Sequence, residues 1–329
     1  MKATVGIIAN PESGRDIRRL VAHASVFDNM EKVSIVERLL LVLQDLGVKK
    51  VIAMPETFGI VPGAVNAIGE HLKMEVKMLS MRILGDWRDT YNATMAMKDR
   101  VDVIVVIGGD GTNRIVAKAC DDTPIMPIST GTNNVFPYMI EATIAGEAIA
   151  AIATGIVKVG EGTYKAKRVE LFEDGSLRDI ALIDAAATLH SFVGSKAVWK
   201  PEYLRELIVS RCSPSNIGLS AIAGVLREIS EDDDVGLYLK LGEGRVIKAP
   251  IAPGVFKKVG IRDFRELQLG EEIEVKTSPS LFALDGEREA EMAGTITARV
   301  TRNGPRVIDY RKTLKIAAER GFFEGNSEL

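Results

Sequence analysis

The stretch VDVIVVIGGDGTNRIVAKAC, Val101 to Cys120, constrains this chain more than any other. Its apolar, β-branched opening reads as a strand buried on both faces. Gly108, Gly109 and Gly111 then surround Asp110, and a helix is expected to start just after Thr112. A buried strand that turns at once into a helix belongs to an α/β layer, where helices cover the sheet. A plain turn needs one glycine. Several around an acid imply a backbone that must come close to something else.

The rest of the first half fits that layer. ATVGIIAN, VKKVIAMP, EVKMLSMRI and PIMPIST read as strands, and SIVERLLLVLQDLG, GAVNAIGEHL, DTYNATMAMKDR and EATIAGEAIAAIATG as helices. Such alternation predicts a parallel sheet with helices on both faces, which binds ligands outside the carboxyl ends of its strands.

After about Gly155 the pattern changes. TYKAKRVELFEDGSLRDIALIDAAATL reads as two strands joined at Asp174-Gly175, and PEYLRELIVSRC as a helical interruption. VGLYLKLGEGRVIKAPI, EEIEVKTSPSLFALDGE and TITARVTRNGPRVIDY read as β-hairpins with Gly, Asn or Pro turns. The expected fold is therefore an α/β domain over 1–150, a β-rich domain over 151–310 and a helical tail over 311–329 that docks on the body.

Composition limits the partners. The formal net charge is −3, which argues against nucleic acid or an anionic membrane as the main partner and leaves room for a local basic site. No apolar run is long enough to cross a bilayer, and the apolar run in MKATVGIIAN, which reaches Asn-Pro at once, is too short for a signal peptide. Cys120 and Cys212 form no metal-like pair, and their scarcity fits a reducing cytoplasm.

Three strand-end loops share one character: Asn10 to Asp16 (NPESGRD), Gly108 to Asn113 (GGDGTN) and Ser129 to Asn134 (STGTNN). Glycine admits close approach, and free N–H groups at helix starts attract phosphate. Clustered at one sheet edge they would cradle a polyphosphate, although each alone could be an ordinary βα turn. Neither G-x-x-x-x-G-K-[ST] nor G-x-G-x-x-G is present.

The GGDGT turn after an apolar strand, with PISTGTNN one helix and one strand later, resembles the superfamily of NAD kinases and diacylglycerol-type lipid kinases. NPESG matches that superfamily's first phosphate-contacting loop. Asp89 and Thr90 are similar to the pair that opens the helix before the signature strand in the ATP-NAD kinase branch. LDGE (Leu284 to Glu287) resembles the acidic turn that the second domain sends back to the site. The start of the chain is similar to the acetoin catabolism protein X subgroup.

The resemblance implies an ATP-dependent kinase using Mg²⁺, with the 2′-hydroxyl of NAD as default acceptor, working as a homo-oligomer. Asp110 would take the proton from the attacking hydroxyl. Asn10, Ser13, Gly14, Gly108, Gly109, Gly111, Thr112, Thr130, Gly131, Thr132, Asn133 and Asn134 would hold the nucleotide, with Gly109 and Gly111 leaving room for sugar and phosphate. Asp285 and Glu287 would position the metal, directly or through water. By residue type alone, Asp110 could instead be a helix N-cap, and Asp285-Gly286 only a hairpin turn.

One departure from the family bears on the acceptor. Its Asn-Glu pair that holds the dinucleotide falls here on Ile183 and Asp184, leaving Asp184 as the candidate acceptor-binding residue. STGTNN is also closer to the lipid-kinase form. A lipid or small-polyol kinase and a non-catalytic nucleotide-binding accessory protein therefore stand as alternatives. Elsewhere, His23, His71 and His190 have no metal spacing. Trp87 and Trp199 read as packing anchors and Glu231 to Asp234 as a solvated turn, while Glu287, Glu289 and Glu291 alternate at strand spacing.

Overall fold

The computed structural model describes residues 3–14, 27–188, 201–277 and 280–324, without the side chains of Pro201, Ser280 and residues 288–290. Asp16, His23, His190 and Trp199, and the side chain of Glu289, therefore lie outside the described part. The first half runs β1 (Thr4–Ala9), α1 (Asn29–Asp45), β2 (Lys50–Ala53), α2 (Ile60–Ile68), β3 (Glu75–Met78), α3 (Trp87–Met97), β4 (Val103–Gly108), α4 (Asp110–Ala117), β5 (Ile125–Ser129) and α5 (Ala142–Ala153). Strands β1 to β5 pair in parallel in the order β3-β2-β1-β4-β5.

The alternation within β4 explains why it must be covered on both sides. Val103, Val105 and Ile107 face the core formed with α1, α2 and α5. Ile104 and Val106 face the core that includes Ala93 and Met97 of α3 and Val116 of α4. Each such fully buried side chain contributes roughly 1.5–3 kcal/mol.

The second half comprises β6 (Thr163–Lys165), β7 (Arg168–Glu173), β8 (Ser176–Ala181), β9 (Asp184–Thr188), β10 (Leu204–Val209), α6 (Leu219–Gly224), β11 (Val235–Ala252), β12 (Val255–Gln268), β13 (Glu272–Glu274), β14 (Ser280–Leu284), β15 (Glu287–Met292), β16 (Ile296–Thr301), β17 (Arg306–Ile308) and α7 (Tyr310–Glu319). A six-stranded sheet (β12-β11-β10-β9-β14-β15) faces a four-stranded one (β13-β16-β7-β8). Leu171, Ala187, Ile208, Phe282 and Val300 fill the space between them. The fold is the α/β plus β-rich arrangement expected from the sequence.

Several local expectations fail for identifiable reasons. Leu204–Val209 is a central strand, preceded by a single 3-10 turn, where a helix was expected. Its one acid, Glu206, is buried and accepts from Thr277 N and Oγ1 at 2.7 Å and from the Tyr238 hydroxyl. The Gly242-Glu243-Gly244 stretch is a bulge inside one long strand, not a hairpin turn: Leu241 and Arg245 both register with Ile261. Strands β16 and β17 do not pair with each other. Instead β17 returns to the first sheet, parallel to β5 and antiparallel to β6. In α7, Ala317 is buried and Thr313 Oγ1 donates to Gly162 O at 2.8 Å.

The Glu231–Asp234 turn is not simply solvated. It wraps Lys167, whose Nζ donates to Ser230 O, Asp233 O and Val235 O, and burial pushes that ammonium down to about 8. Trp87 is 55% exposed and meets only Tyr91 edge-on among the described rings, so it anchors little. His71 lies on the surface.

Candidate active site

Helix α4 begins at Asp110 itself, with Gly109 as its N-cap, so the helix starts three residues earlier than expected. Asp110 is therefore not the cap. Its carboxylate reaches across to the third loop: Oδ1 accepts from Val135 N (3.1 Å) and Phe136 N (2.7 Å), and Oδ2 also faces Val135 N (3.1 Å). That loop does not run straight into a helix, because Tyr138 first bridges back to Ile128 before α5 starts.

Side-chain hydrogen bonds tie all three loops together. Asn10 Nδ2 donates to Thr112 Oγ1 at 2.8 Å. Thr130 Oγ1 donates to Ser13 Oγ at 3.1 Å, and Ser13 Oγ donates to Asn10 O at 2.8 Å. Asn134 Nδ2 donates to Ser129 Oγ (2.9 Å) and Gly131 O (3.3 Å). Thr132 and Asn133 bond to each other at 3.3 Å, with Thr132 exposed. Gly14 closes the first loop in the left-handed region, at φ 81°.

The glycines make room chiefly for protein. A Cβ on Gly108 would lie 2.6 Å from Thr112 Cβ, one on Gly109 2.9 Å from Asn134 Oδ1, and one on Gly111 3.0 Å from Glu287 Oε2. The last contact places the acidic turn of the second half against the start of α4.

Two charged residues that sequence reasoning missed hold this arrangement from behind. Lys32 is fully buried in α1, and its ammonium donates to Asn10 O (2.8 Å), Pro11 O (3.2 Å), Ser13 O (2.6 Å) and Asn29 Oδ1 (2.9 Å). The first loop thus folds its carbonyls around a cation. A signal was available, because Lys32 extends the apolar stripe Val36, Leu39, Leu43 of α1 and interrupts it with a charge.

Arg114, one turn beyond Asp110, is the other. It is fully buried, with Nε 3.6 Å from Asp285 Oδ2 and a second nitrogen 3.6 Å from Asp179 Oδ1. Lys118 also reaches Asp179, at 2.6 Å. Only its place inside the apolar run NRIVA hinted that Arg114 was buried.

Asp285 stands at φ 52° in the turn between β14 and β15. Its carboxylate accepts from Leu182 N (3.0 Å), Ile183 N (2.7 Å) and Asp184 N (3.3 Å). Burial pushes this carboxyl up to about 6, against the pull of Arg114 and the Leu182 and Ile183 N–H groups. Asp184 is buried at the start of β9, and its carbonyl accepts from Asp285 N at 2.9 Å. The candidate acceptor residue and both members of the acidic turn therefore sit beside the Asp110 helix.

Among the described residues, no group of three His, Cys, Asp or Glu side chains could hold a metal ion. The carboxylate of Asp285 is engaged by backbone N–H groups and Arg114. Glu287 is the acid of that turn set against the start of α4. Such a sparse set suits Mg²⁺ carried mainly by nucleotide phosphates, because that ion usually keeps waters and takes only one or two carboxylates.

A model of the ATP-NAD kinase N-terminal domain matches residues 5–158, and one of the acetoin catabolism protein X C-terminal domain matches residues 167–303. Over 299 residues the chain is 39% identical to acetoin catabolism protein X of Cupriavidus necator, spanning 87% of this chain and 83% of that protein. It is 31% identical over 135 residues to an uncharacterized protein of Archaeoglobus fulgidus, spanning 41% of this chain and 36% of that one. Yeast NADH kinase complexed with NADH superposes with a TM-score of 0.47 at 13% identity, over 99% of this chain and 89% of that one. A diacylglycerol kinase from Bacillus anthracis superposes with a TM-score of 0.44 at 12% identity, over 93% and 96%.

Proposed function

The chain belongs to the acetoin catabolism protein X branch of the ATP-NAD kinase family, and from that premise we propose that it transfers the γ-phosphoryl group of ATP to a hydroxyl, with the 2′-hydroxyl of NAD as default acceptor. The observation that carries this reading is the tying of three phosphate-type loops around Asp110 by Asn10–Thr112, Ser13–Thr130 and Asp110–Phe136. A staple of this kind holds a polyphosphate cradle in place before the ligand arrives, and pre-organisation lowers the cost of binding.

Asp110 takes the acceptor proton. A carboxylate has about four lone-pair sites, so two backbone donors orient it and leave capacity for a hydroxyl. A weak base suffices because the proton leaves late in a loose phosphoryl-transfer transition state, where positioning supplies most of the rate. Asn10, Ser13, Gly14, Thr112, Thr130, Gly131, Thr132, Asn133 and Asn134 line the nucleotide side, and Asp184 the acceptor side. Glu287 is the residue that would hold Mg²⁺ bound with ATP, where the ion would neutralise phosphate charge. Asp285 acts with Arg114 as a clamp between the two halves rather than as a metal ligand, because its oxygens already face three N–H groups.

The test is transfer of labelled phosphate from ATP by the purified protein, against NAD, NADH, diacylglycerol and small diols in turn. Transfer to one of them, lost in Asp110→Asn, is expected; transfer to none, with ATP or with polyphosphate, rejects the kinase reading. One observation favours a second reading, a nucleotide-binding accessory protein: both oxygens of Asp110 already serve as a loop staple. Such a protein would be stabilised by nucleotide, by about 2.7 kcal/mol at a hundredfold excess over Kd, without turnover.

A further inference from the structure

Beyond Leu241, β11 leaves β10 and continues with β12 alone as a two-stranded ribbon. One side of the ribbon is core: Ile247, Ala249, Ile251, Val259 and Ile261 pack with Leu219 and Ile222 of α6. Residues opposite one another in an antiparallel pair share a face. The register Val246↔Gly260, Lys248↔Lys258 and Pro250↔Phe256 therefore places Val246, Lys248, Phe256 and Lys258 together on the outer side.

That outer side has two unusual properties. Val246 and Phe256 are 62% and 68% exposed, although they sit on an ordered ribbon with a packed inner face. Lys248 and Lys258 are directly opposed, an arrangement that costs stability because like charges face each other across the pair. Between Glu243 and Arg262 the ribbon carries five cations (Arg245, Lys248, Lys257, Lys258, Arg262) to one acid. Of these cations, Lys248 and Lys258 lie on the outer side, while Arg245 and Lys257 register with Ile261 and Ala249 of the inner side. None of the five side chains makes an ion pair or hydrogen bond to the described residues. Elsewhere on the same half, Arg227, Arg265, Arg299 and Arg302 each pair with a carboxylate. The net charge of −3 averages over this patch and conceals it.

We propose that the outer face of the β11–β12 ribbon docks on an anionic phospholipid surface. Apolar tips flanked by lysines suit the headgroup boundary, where the apolar groups enter and the ammonium groups stay among phosphates. A symmetric contact with a second copy would set Lys248 and Lys258 against themselves, which the charge disfavours. A neutral partner would leave Lys248 and Lys258 uncompensated. The proposal does not depend on the kinase reading.

Flotation of the full chain with vesicles of phosphatidylcholine, or of phosphatidylcholine mixed with phosphatidylserine, tests it. Binding to the mixed vesicles alone, weakening as salt rises, is expected. A lysine near such a surface is worth about fivefold in affinity, so Lys248→Ala/Lys258→Ala should bind about thirtyfold more weakly. Phe256→Ser should also weaken binding, and both variants should melt near wild type. Equal binding to neutral vesicles, no binding to either, or binding that both variants retain overturns the proposal. So does a change in oligomeric state in the variants by light scattering, which would make the face a contact between copies. Retention on polyglutamate or duplex DNA without retention by anionic vesicles also overturns it.

Discussion

The guanidinium of Arg114 lies 3.6 Å from the carboxylate of Asp285, and neither side chain reaches solvent. The two residues come from opposite halves of the chain, and the pair fixes the helix that begins with Asp110 against the turn that ends in Glu287. Removing one partner of a buried pair leaves the other uncompensated, which typically costs about 3–5 kcal/mol. Arg114→Met should lose that much stability in urea unfolding. A loss below about 1 kcal/mol would mean that the contact is incidental.

The same pair has a pH signature. An unfolded chain would titrate Asp285 at about 3.9, whereas burial raises the folded value to about 6. Between those values the folded protein holds a proton that the unfolded chain has lost. The stability from this group is thus fully present below about pH 4 and lost as pH rises through about 6. Wild type should therefore lose stability relative to Asp285→Asn over that window. Melting curves whose difference stays flat with pH would show that Asp285 ionises as an exposed acid does.

Lys32→Met leaves the carbonyls of Asn10, Pro11 and Ser13 without their cation. Each buried acceptor left unpaired costs about 1–3 kcal/mol, so the protein should melt lower. If the first loop contacts phosphate, the stabilisation by ATP–Mg²⁺ should shrink as well, and the KM for ATP should rise more than that for the acceptor. A lower melting temperature with an unchanged nucleotide shift would reduce Lys32 to a fold anchor.

Asp110→Asn should lower turnover by roughly 10²–10⁴-fold, the usual span for general-base catalysis. Because Asp110 staples two loops and does not cap the helix, the variant should also lose about 1.5–3 kcal/mol, the worth of a hydrogen bond to a charged group. Single-turnover rate and ATP–Mg²⁺ affinity on the same variant separate the roles. A proton acceptor affects the rate alone, whereas a residue that helps hold the metal affects both. A fully active Asp110→Asn protein excludes both.

Gly111→Ala places a methyl group against the Glu287 carboxylate, the movable end of a long side chain. Stability should change by less than about 1 kcal/mol, since alanine favours a helix over glycine. Turnover should fall because Glu287 is displaced. In Glu287→Ala the same Gly111→Ala change should have little further effect; two independent losses would mean that the residues do not act through each other.

What the residues could declare by themselves was local. Alternating strand and helix periods, the strand–turn–helix at Gly108–Asp110 and the hairpin turns at Asp174-Gly175 and Asp285-Gly286 depend on neighbours a few positions apart. A chain encodes those neighbours directly, and they sufficed for the fold class and for the three loops. The tertiary structure decided whatever depends on distant partners. Asn10 meets Thr112 across 102 positions, and Leu182 meets Asp285 across 103. LRELIV became a strand because β9 and β11 flank it and Thr277 and Tyr238 satisfy its buried acid. Gly242-Glu243-Gly244 became a bulge because β12 continues past it. Lys32 and Arg114 are buried by the fold against carbonyls and carboxylates that come from distant parts of the chain. Periodicity could set each of them in an apolar stripe, but the partners that satisfy a buried charge depend on what packs around it.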